Sequence, residues 1–146
     1  MKHLETHRIL ILFSYLTVGM AFLITLVVFF WLLYPYKPAT FNHLPHKVTP
    51  RVVEGGKFLT VEVDVCKHMP IAPTITRVFV DGVIYQIPEY TTVNDVVGCG
   101  IRKVQIYIPK GLPKGEYFIS TTYRFRVNPV RTIEIQTRSD KFKVVE

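Results

Sequence analysis

Three features of this 146-residue sequence predict an all-β fold that follows one membrane-spanning helix. A long uncharged apolar run lies near the amino terminus, segments of alternating polarity fill the remainder, and turn signals separate those segments. The specific prediction is an immunoglobulin-like antiparallel β-sandwich of about seven strands, preceded by a single transmembrane helix. The predicted boundaries are a short N-terminus over 1–8, the helix over 9–34, an extended tether over 35–50 and the sandwich over 51–146.

The helix is predicted from the uncharged run Ile9–Leu33. At about 1.5 Å per residue this run spans roughly 37 Å, enough to cross a hydrocarbon core of about 30 Å. Trp31, Tyr34 and Tyr36 cluster at its far end and are expected at the lipid–water interface. A cleaved signal peptide is the alternative, but its apolar core is shorter and a small-residue cleavage site follows it. The run therefore predicts an uncleaved anchor that contacts the bilayer through residues 9–34.

The charges that flank the helix favour neither orientation in the membrane clearly, because basic residues after the helix match Lys2 and Arg8 before it. The segment that can fold, with both cysteines, follows the helix. We therefore expect a cytoplasmic N-terminus and residues 35–146 on the periplasmic or extracellular side.

Alternating polarity predicts the strands and their turns. The residue pair Asp81-Gly82 predicts a hairpin, and Tyr117, after the Pro/Gly corner "IPKGLPKGEY", is expected to bond back to the backbone as a tyrosine corner. The tether has prolines and no periodicity. The predicted strands cover 57–66, 74–80, 83–87, 103–108, 116–127, 132–137 and 141–145.

Cys66 and Cys99 are the two cysteines of the chain, and both lie in the segment expected outside the cytoplasm. Such a pair bonds in an oxidising compartment, and closing this loop contributes about 3–4 kcal/mol in the chain-entropy model. Cys66 is in phase with the polar residues Glu62 and Asp64. The predicted bridge therefore joins a strand end to the loop "NDVVGCG".

A soft-metal site is the rival interpretation, because Cys66, His68 and Met69 are ligand types that suit Cu(I). His43 and His46 could add nitrogen ligands if the tether folded back. The copper carrier needs a free Cys66 thiolate, and no Cys-x-x-Cys pattern accompanies it. The disulfide is favoured, and neither a metal nor a cofactor is expected.

Catalytic motifs are missing from the sequence: it has no Gly-x-Ser-x-Gly, His-Glu-x-x-His or phosphate-binding glycine loop. We therefore expect a non-enzymatic protein. Its net charge is +7, and Arg124, Arg126 and Arg131 form a possible basic surface for an acidic partner or lipid headgroups. Ordinary solvated positions are the alternative. Nucleic acid is not an expected partner of a domain held outside the cytoplasm.

Several strings resemble short uncharacterised membrane-anchored β-domain proteins encoded by tailed bacteriophages. These strings are "VDVCKH", "RVFVDGVIY", "GCG", "IPKGLPKGEY", "YRFRVNPVRTI" and "KFKVV". The resemblance implies a viral origin and supports pairing of Cys66 with Cys99, but it implies no activity. The leading hypothesis is a membrane-anchored binding module for another protein. A copper carrier and a structural component of a virus particle or membrane complex are the alternatives.

Overall fold

The computed structural model describes residues 2–92 and 96–145, with side chains from residue 8 onwards. The chain forms two compact units, one reaching Pro35 and the other beginning at Tyr36. Val93, Asn94 and Asp95, part of the loop that was expected to carry one end of the disulfide, lie outside the described residues.

The first unit is the helix α1, Lys2–Leu33. Its stretch Arg8–Leu33, 26 residues, is long enough and apolar enough to cross a membrane. The helix therefore starts well before the predicted residue 9 and ends one residue before the predicted residue 34. Pro35 lies two residues after Leu33, and a proline disfavours continuation of the helix there.

Within its described residues the second unit contains ten strands, and every one of the seven predicted strands is among them. Three additional strands, each of three residues, precede the first predicted strand. The strands are β1 Ala39–Phe41, β2 Lys47–Thr49, β3 Val52–Glu54, β4 Phe58–Lys67, β5 Thr74–Asp81, β6 Val83–Thr91, β7 Gly98–Tyr107, β8 Gly115–Asn128, β9 Arg131–Arg138 and β10 Phe142–Val145.

These strands form two sheets. In the first sheet, β4 pairs with β7 along one edge, and with both β1 and β2 along the other. In the second sheet the order is β3-β10-β8-β5-β6, and β9 also pairs with β8. All these pairs are antiparallel apart from β3 and β10, which are parallel. The first sheet is therefore antiparallel as predicted, whereas the second sheet is mixed.

One hydrophobic cluster takes its side chains from both sheets. In β4 the buried positions alternate with half-buried ones, as the sequence pattern predicts. A similar alternation holds along β8 from Tyr117 to Phe125, interrupted at Ser120, which is also buried. The fully buried members of the cluster include Leu59, Phe79, Ile108, Tyr117, Ile119, Phe142 and Val144.

The segment 35–50 differs from the predicted tether, because it belongs to the folded unit. Ala39 and Val48 are buried in the core, and β1 and β2 extend the first sheet. Backbone hydrogen bonds to β4 stabilise both strands, although neither is long enough to show a period in the sequence.

His46 connects this segment to the second sheet. Its backbone N–H donates to the carbonyl oxygen of Arg138 at 2.8 Å, and its own carbonyl accepts from the N–H of Asp140 at 2.7 Å. The ring is 3% exposed, and its Nδ1 lies 3.1 Å from the carbonyl oxygen of His43. Burial lowers the pKa of His46, so the neutral ring is favoured in the folded protein.

The hairpin predicted at Asp81-Gly82 is confirmed. Asp81 pairs with Val83 across a turn in which Gly82 has a φ of 67°, a backbone conformation that glycine adopts without steric cost. This hairpin joins β5 to β6 in the second sheet.

Candidate functional site

The predicted disulfide is present between Cys66 and Cys99, with a sulfur–sulfur distance of 2.09 Å. The two cysteines face each other directly in the β4–β7 ladder. Cys66 lies on the polar side of β4, as predicted. However, β7 begins at Gly98, so Cys99 is a strand residue and the bridge joins two paired strands. The predicted link between a strand end and a loop is wrong, because pairing with β4 extends β7 through a stretch that lacks alternating apolar residues.

The residues of the alternative copper site have other partners in the structure. The Cys66 sulfur is in the disulfide, and the His68 ring lies 2.9 Å from the Thr40 hydroxyl. His43 contacts the Asp64 carboxylate at 2.7 Å. Across residues 8–92 and 96–145, no group of three or more His, Cys, Asp or Glu side chains is placed to hold a metal ion. The oxidised protein therefore lacks the thiolate on which the copper hypothesis depends.

Two of the three predicted surface arginines have described side-chain contacts. Arg124 forms ion pairs with Glu134 at 2.8 Å and Glu89 at 3.2 Å. The Arg131 guanidinium lies 5.9 Å from the centre of the Tyr36 ring, and Arg126 is exposed on the outward side of β8. Arg124 therefore has carboxylate partners, and Arg131 has an aromatic contact.

The predicted membrane-interface aromatics divide between the two units. Trp31 and Tyr34 belong to the helix unit, where the Tyr34 ring lies 5.3 Å from that of Phe30. Tyr36 begins the β unit and contacts Arg131. Their location at a lipid interface stays a prediction.

A cavity of about 400 Å³ lies between the two sheets, a volume within the usual range of ligand pockets of about 300–1,000 Å³. Inward-facing side chains of β4 and β7 form one wall, and those of β5 and β8 form the other. The apolar part of the lining includes Val63, Val65, Ile75, Val104 and Phe125.

Four basic residues also contribute to the lining of this cavity: Lys67, Arg77, Arg102 and Lys103. The Lys103 side chain is 70% exposed and extends outward to Glu62, 3.7 Å away. Lys67 and Arg77 are only 5% and 8% exposed. An arginine this buried is uncommon, so Arg77 distinguishes this cavity from an ordinary core.

Arg77 is the most informative of these residues. It lies on the inward side of β5 between Ile75 and Phe79, where the strand pattern calls for an apolar side chain. Its guanidinium lies 5.0 Å from the centre of the Tyr90 ring, and its positive charge also acts on the Tyr123 hydroxyl. Burial raises the pKa of Tyr123 despite this charge, so the Tyr123 phenol is neutral.

A second hollow of about 480 Å³ continues from this cavity between the edge strands β6 and β7. Arg77 and Tyr90 line both spaces. The walls of the second hollow are largely apolar and include Phe79, Ile87 and Ile106.

Comparisons with known proteins show no family for this chain. No family model and no curated protein matches it. Among solved structures, it is similar to the Pseudomonas fluorescens alkylpurine DNA glycosylase AlkC bound to DNA, with 10% identity, a TM-score of 0.40, and coverage of 75% of this chain but 31% of that one. It is also similar to a CARDB domain from Pyrococcus furiosus in complex with di-metal ions, with 15% identity, a TM-score of 0.41, and coverage of 77% and 93%. Both scores are low, and neither neighbour's chemistry is carried over to this chain.

The sequence analysis missed the cavity, although a signal for it was present. In "TITRVFV" the alternation places Arg77 in phase with Ile75 and Phe79, and in β4 Lys67 is in phase with Val63 and Val65. A charged residue in the apolar phase of a strand faces the core, where it is costly unless another group compensates it. Arg77, in the apolar phase of β5, is therefore the sequence signal for a polar group inside the domain.

Proposed function

We propose that this protein is a single-pass, membrane-anchored binding module that displays an immunoglobulin-like β-sandwich outside the cytoplasmic membrane. Its function is non-enzymatic. The observation that carries the binding role is the cavity between the sheets, which combines apolar walls with the buried Arg77. Ligand sites typically have such apolar walls and a few polar groups that fix the orientation of the ligand.

Two features support the location. The helix stretch Arg8–Leu33 is long enough to serve as an anchor, and the Cys66–Cys99 bond is a feature of oxidising compartments. The immunoglobulin-like assignment is supported by the two sheets around one core and by the tyrosine-corner contact of Tyr117. Viral origin, and a structural role in a virus particle, stay hypotheses from the sequence resemblance.

The location is tested with reporters fused after Glu146 in the full chain. A reporter that is active only when exported should be active, and one that works only in the cytoplasm should be silent. The opposite pattern would place the domain on the cytoplasmic side and would also remove the oxidising environment that the disulfide needs.

Binding is tested with a photoreactive amino acid placed at Thr92, which lines the cavity, in intact cells. The matched control carries the same amino acid at Arg126, on the outward side of β8. We expect irradiation to yield a defined adduct at Thr92 and none of the same mass at Arg126. Equal adducts at both positions, or none at either, would contradict a binding function for the cavity. A protein-sized adduct would identify a protein partner, and a small mass increase would identify a small molecule.

A further inference from the structure

One end of the β unit is the end at which the chain enters it. Tyr36 is the first residue of this unit, and its ring centre lies 5.9 Å from the guanidinium of Arg131, the first residue of β9. The strand register pairs Lys67, the last residue of β4, with the first residues of both β1 and β7. The start of β7 and the β8–β9 hairpin therefore lie beside Tyr36, and we call this the entry end.

Two exposed valines lie at the entry end. Val130, in the turn between β8 and β9, and Val97, directly before β7, are each 51% exposed. The opposite end presents a similar side chain, because β5 runs antiparallel to β8 and the β5–β6 hairpin carries Val83, which is 58% exposed. Single exposed apolar side chains are common on proteins, so exposure alone does not distinguish the two ends.

The length of the connection to the helix does distinguish them. Helix α1 ends at Leu33, and Tyr36 follows after two intervening residues. An extended chain covers at most about 3.6 Å per residue, so Tyr36 stays within about 11 Å of Leu33 whatever the angle between the two units. The headgroup region on each side of a bilayer is about 5–8 Å thick. A chain anchored by α1 therefore keeps the entry end at the lipid surface, whereas β5 carries its hairpin about 25 Å further along the strands.

We propose that the entry end inserts Val97 and Val130 into the headgroup region of the bilayer that holds α1. This inference rests on the proposed membrane anchor and adds a lipid contact made by the β unit itself. Transfer of the two valines out of water favours the contact, and the Tyr36 ring belongs to a type that favours the same region. Two small side chains are sufficient because the anchor already holds them at a high effective concentration near lipid.

The test uses the full chain in phosphatidylcholine nanodiscs with one nitroxide label per protein. The two native cysteines are joined in the disulfide, so a single introduced cysteine supplies the only free thiol. Electron paramagnetic resonance compares collisions of the label with oxygen, which concentrates in lipid, and with a water-soluble nickel chelate. Val97→Cys and Val130→Cys report on the entry end. Val83→Cys is the matched control, and Val18→Cys, within α1, reports on insertion of the helix.

We expect the ratio of oxygen to nickel collisions at positions 97 and 130 to exceed the ratio at position 83 several-fold. With the label at position 97, the further change Val130→Asp should lower the ratio towards the value at position 83, because a carboxylate is costly in a lipid environment. Val83→Asp should leave the ratio at position 97 unchanged. Urea-dependent pulse proteolysis checks that each labelled variant is folded.

The outcomes separate this inference from the anchor on which it rests. Water-like ratios at positions 97 and 130, together with a lipid-like ratio at position 18, would overturn the inference and leave the anchor intact. A water-like ratio at position 18 would contradict the anchor, and the inference would fall with it. A lipid-like ratio at position 83, or no effect of Val130→Asp, would also overturn the inference, because the contact would then not depend on the entry end.

Discussion

The hydroxyl of Tyr117 donates a hydrogen bond to the carbonyl oxygen of Pro113 at 2.8 Å. Tyr117 lies near the start of β8 and is 1% exposed, so this bond fixes the corner through which the chain enters its longest strand. The corner expected from the sequence pattern "IPKGLPKGEY" is therefore confirmed.

Tyr117→Phe should lower the free energy of unfolding by about 1–2 kcal/mol, because it removes this bond and leaves the Pro113 carbonyl without it. The measurement is urea-dependent pulse proteolysis of the full chain in nanodiscs. Tyr107→Phe is the matched control, since the Tyr107 side chain is exposed. An equal loss in both variants would argue against a special role for the corner.

Cys66→Ala and Cys99→Ala should each destabilise the β unit by about 3–4 kcal/mol, because either change opens a loop with a sequence separation of 33. The double variant should lose little more than either single variant, since the two residues act as one unit. His68→Ala should cost much less. The same proteolysis assay measures all four, and additive cysteine effects or copper-dependent stability that requires His68 would contradict the disulfide interpretation.

His46 should make the β unit less stable as the pH falls. Burial lowers its pKa in the folded state, so the unfolded chain binds the proton more readily. The stability that the neutral ring contributes is complete above the unfolded value of about 6.5 and is lost as the pH falls through the lower folded pKa. Protonation would also place a new donor on Nε2, a buried atom without a hydrogen-bond partner among the described residues.

The measurement compares thermal midpoints at pH 7.5 and pH 5 for three proteins. The wild-type midpoint should fall more than that of His46→Gln, which cannot take up the proton. His68→Gln, a substitution at an exposed ring, should follow the wild type. Identical pH dependence in wild type and His46→Gln would show that this ring does not govern acid sensitivity.

Gly115→Ala should destabilise the β unit by about 1–2 kcal/mol. A Cβ at this position would collide with the Asp81 carboxylate and would lie 3.2 Å from the Tyr117 ring. The exposed Asp81 can move, but the buried ring cannot. Gly111→Ala is the control, because a Cβ there meets nothing within 4 Å. Comparable unfolding midpoints for the two variants would contradict this close approach.

The sequence predicted the elements that have enough length to show a period. The alternation of β4 and β8 identified both their existence and their buried sides. It could not identify β1 and β2, because a strand of three residues has no measurable period and depends on pairing with β4. The parallel pairing of β3 with β10 joins segments at opposite ends of the β unit, and no local pattern encodes it.

The candidate site was harder to predict than the fold, for a physical reason. Arg124 and Arg126 were predicted to form a basic surface, because arginines usually lie on protein surfaces. In the structure, Arg124 forms ion pairs with two carboxylates. Arg77 gave the stronger signal through its phase within β5. The cavity that Arg77 lines is built from strands of both sheets, and no local pattern encodes that packing.

The interrupted edge formed by β1 and β2 affects how the domain behaves when many copies are crowded on a surface. A second chain can add to a sheet only where a long row of backbone N–H and C=O groups is unpaired. The two three-residue strands on either side of Pro45 are too short to offer such a row. In β6, Pro88 removes a donor from the exposed edge. Among the described strands, β7 has ten residues without proline and pairs only with β4. Unwanted aggregation should therefore begin at β7, where Arg102 and Lys103 oppose it by charge repulsion.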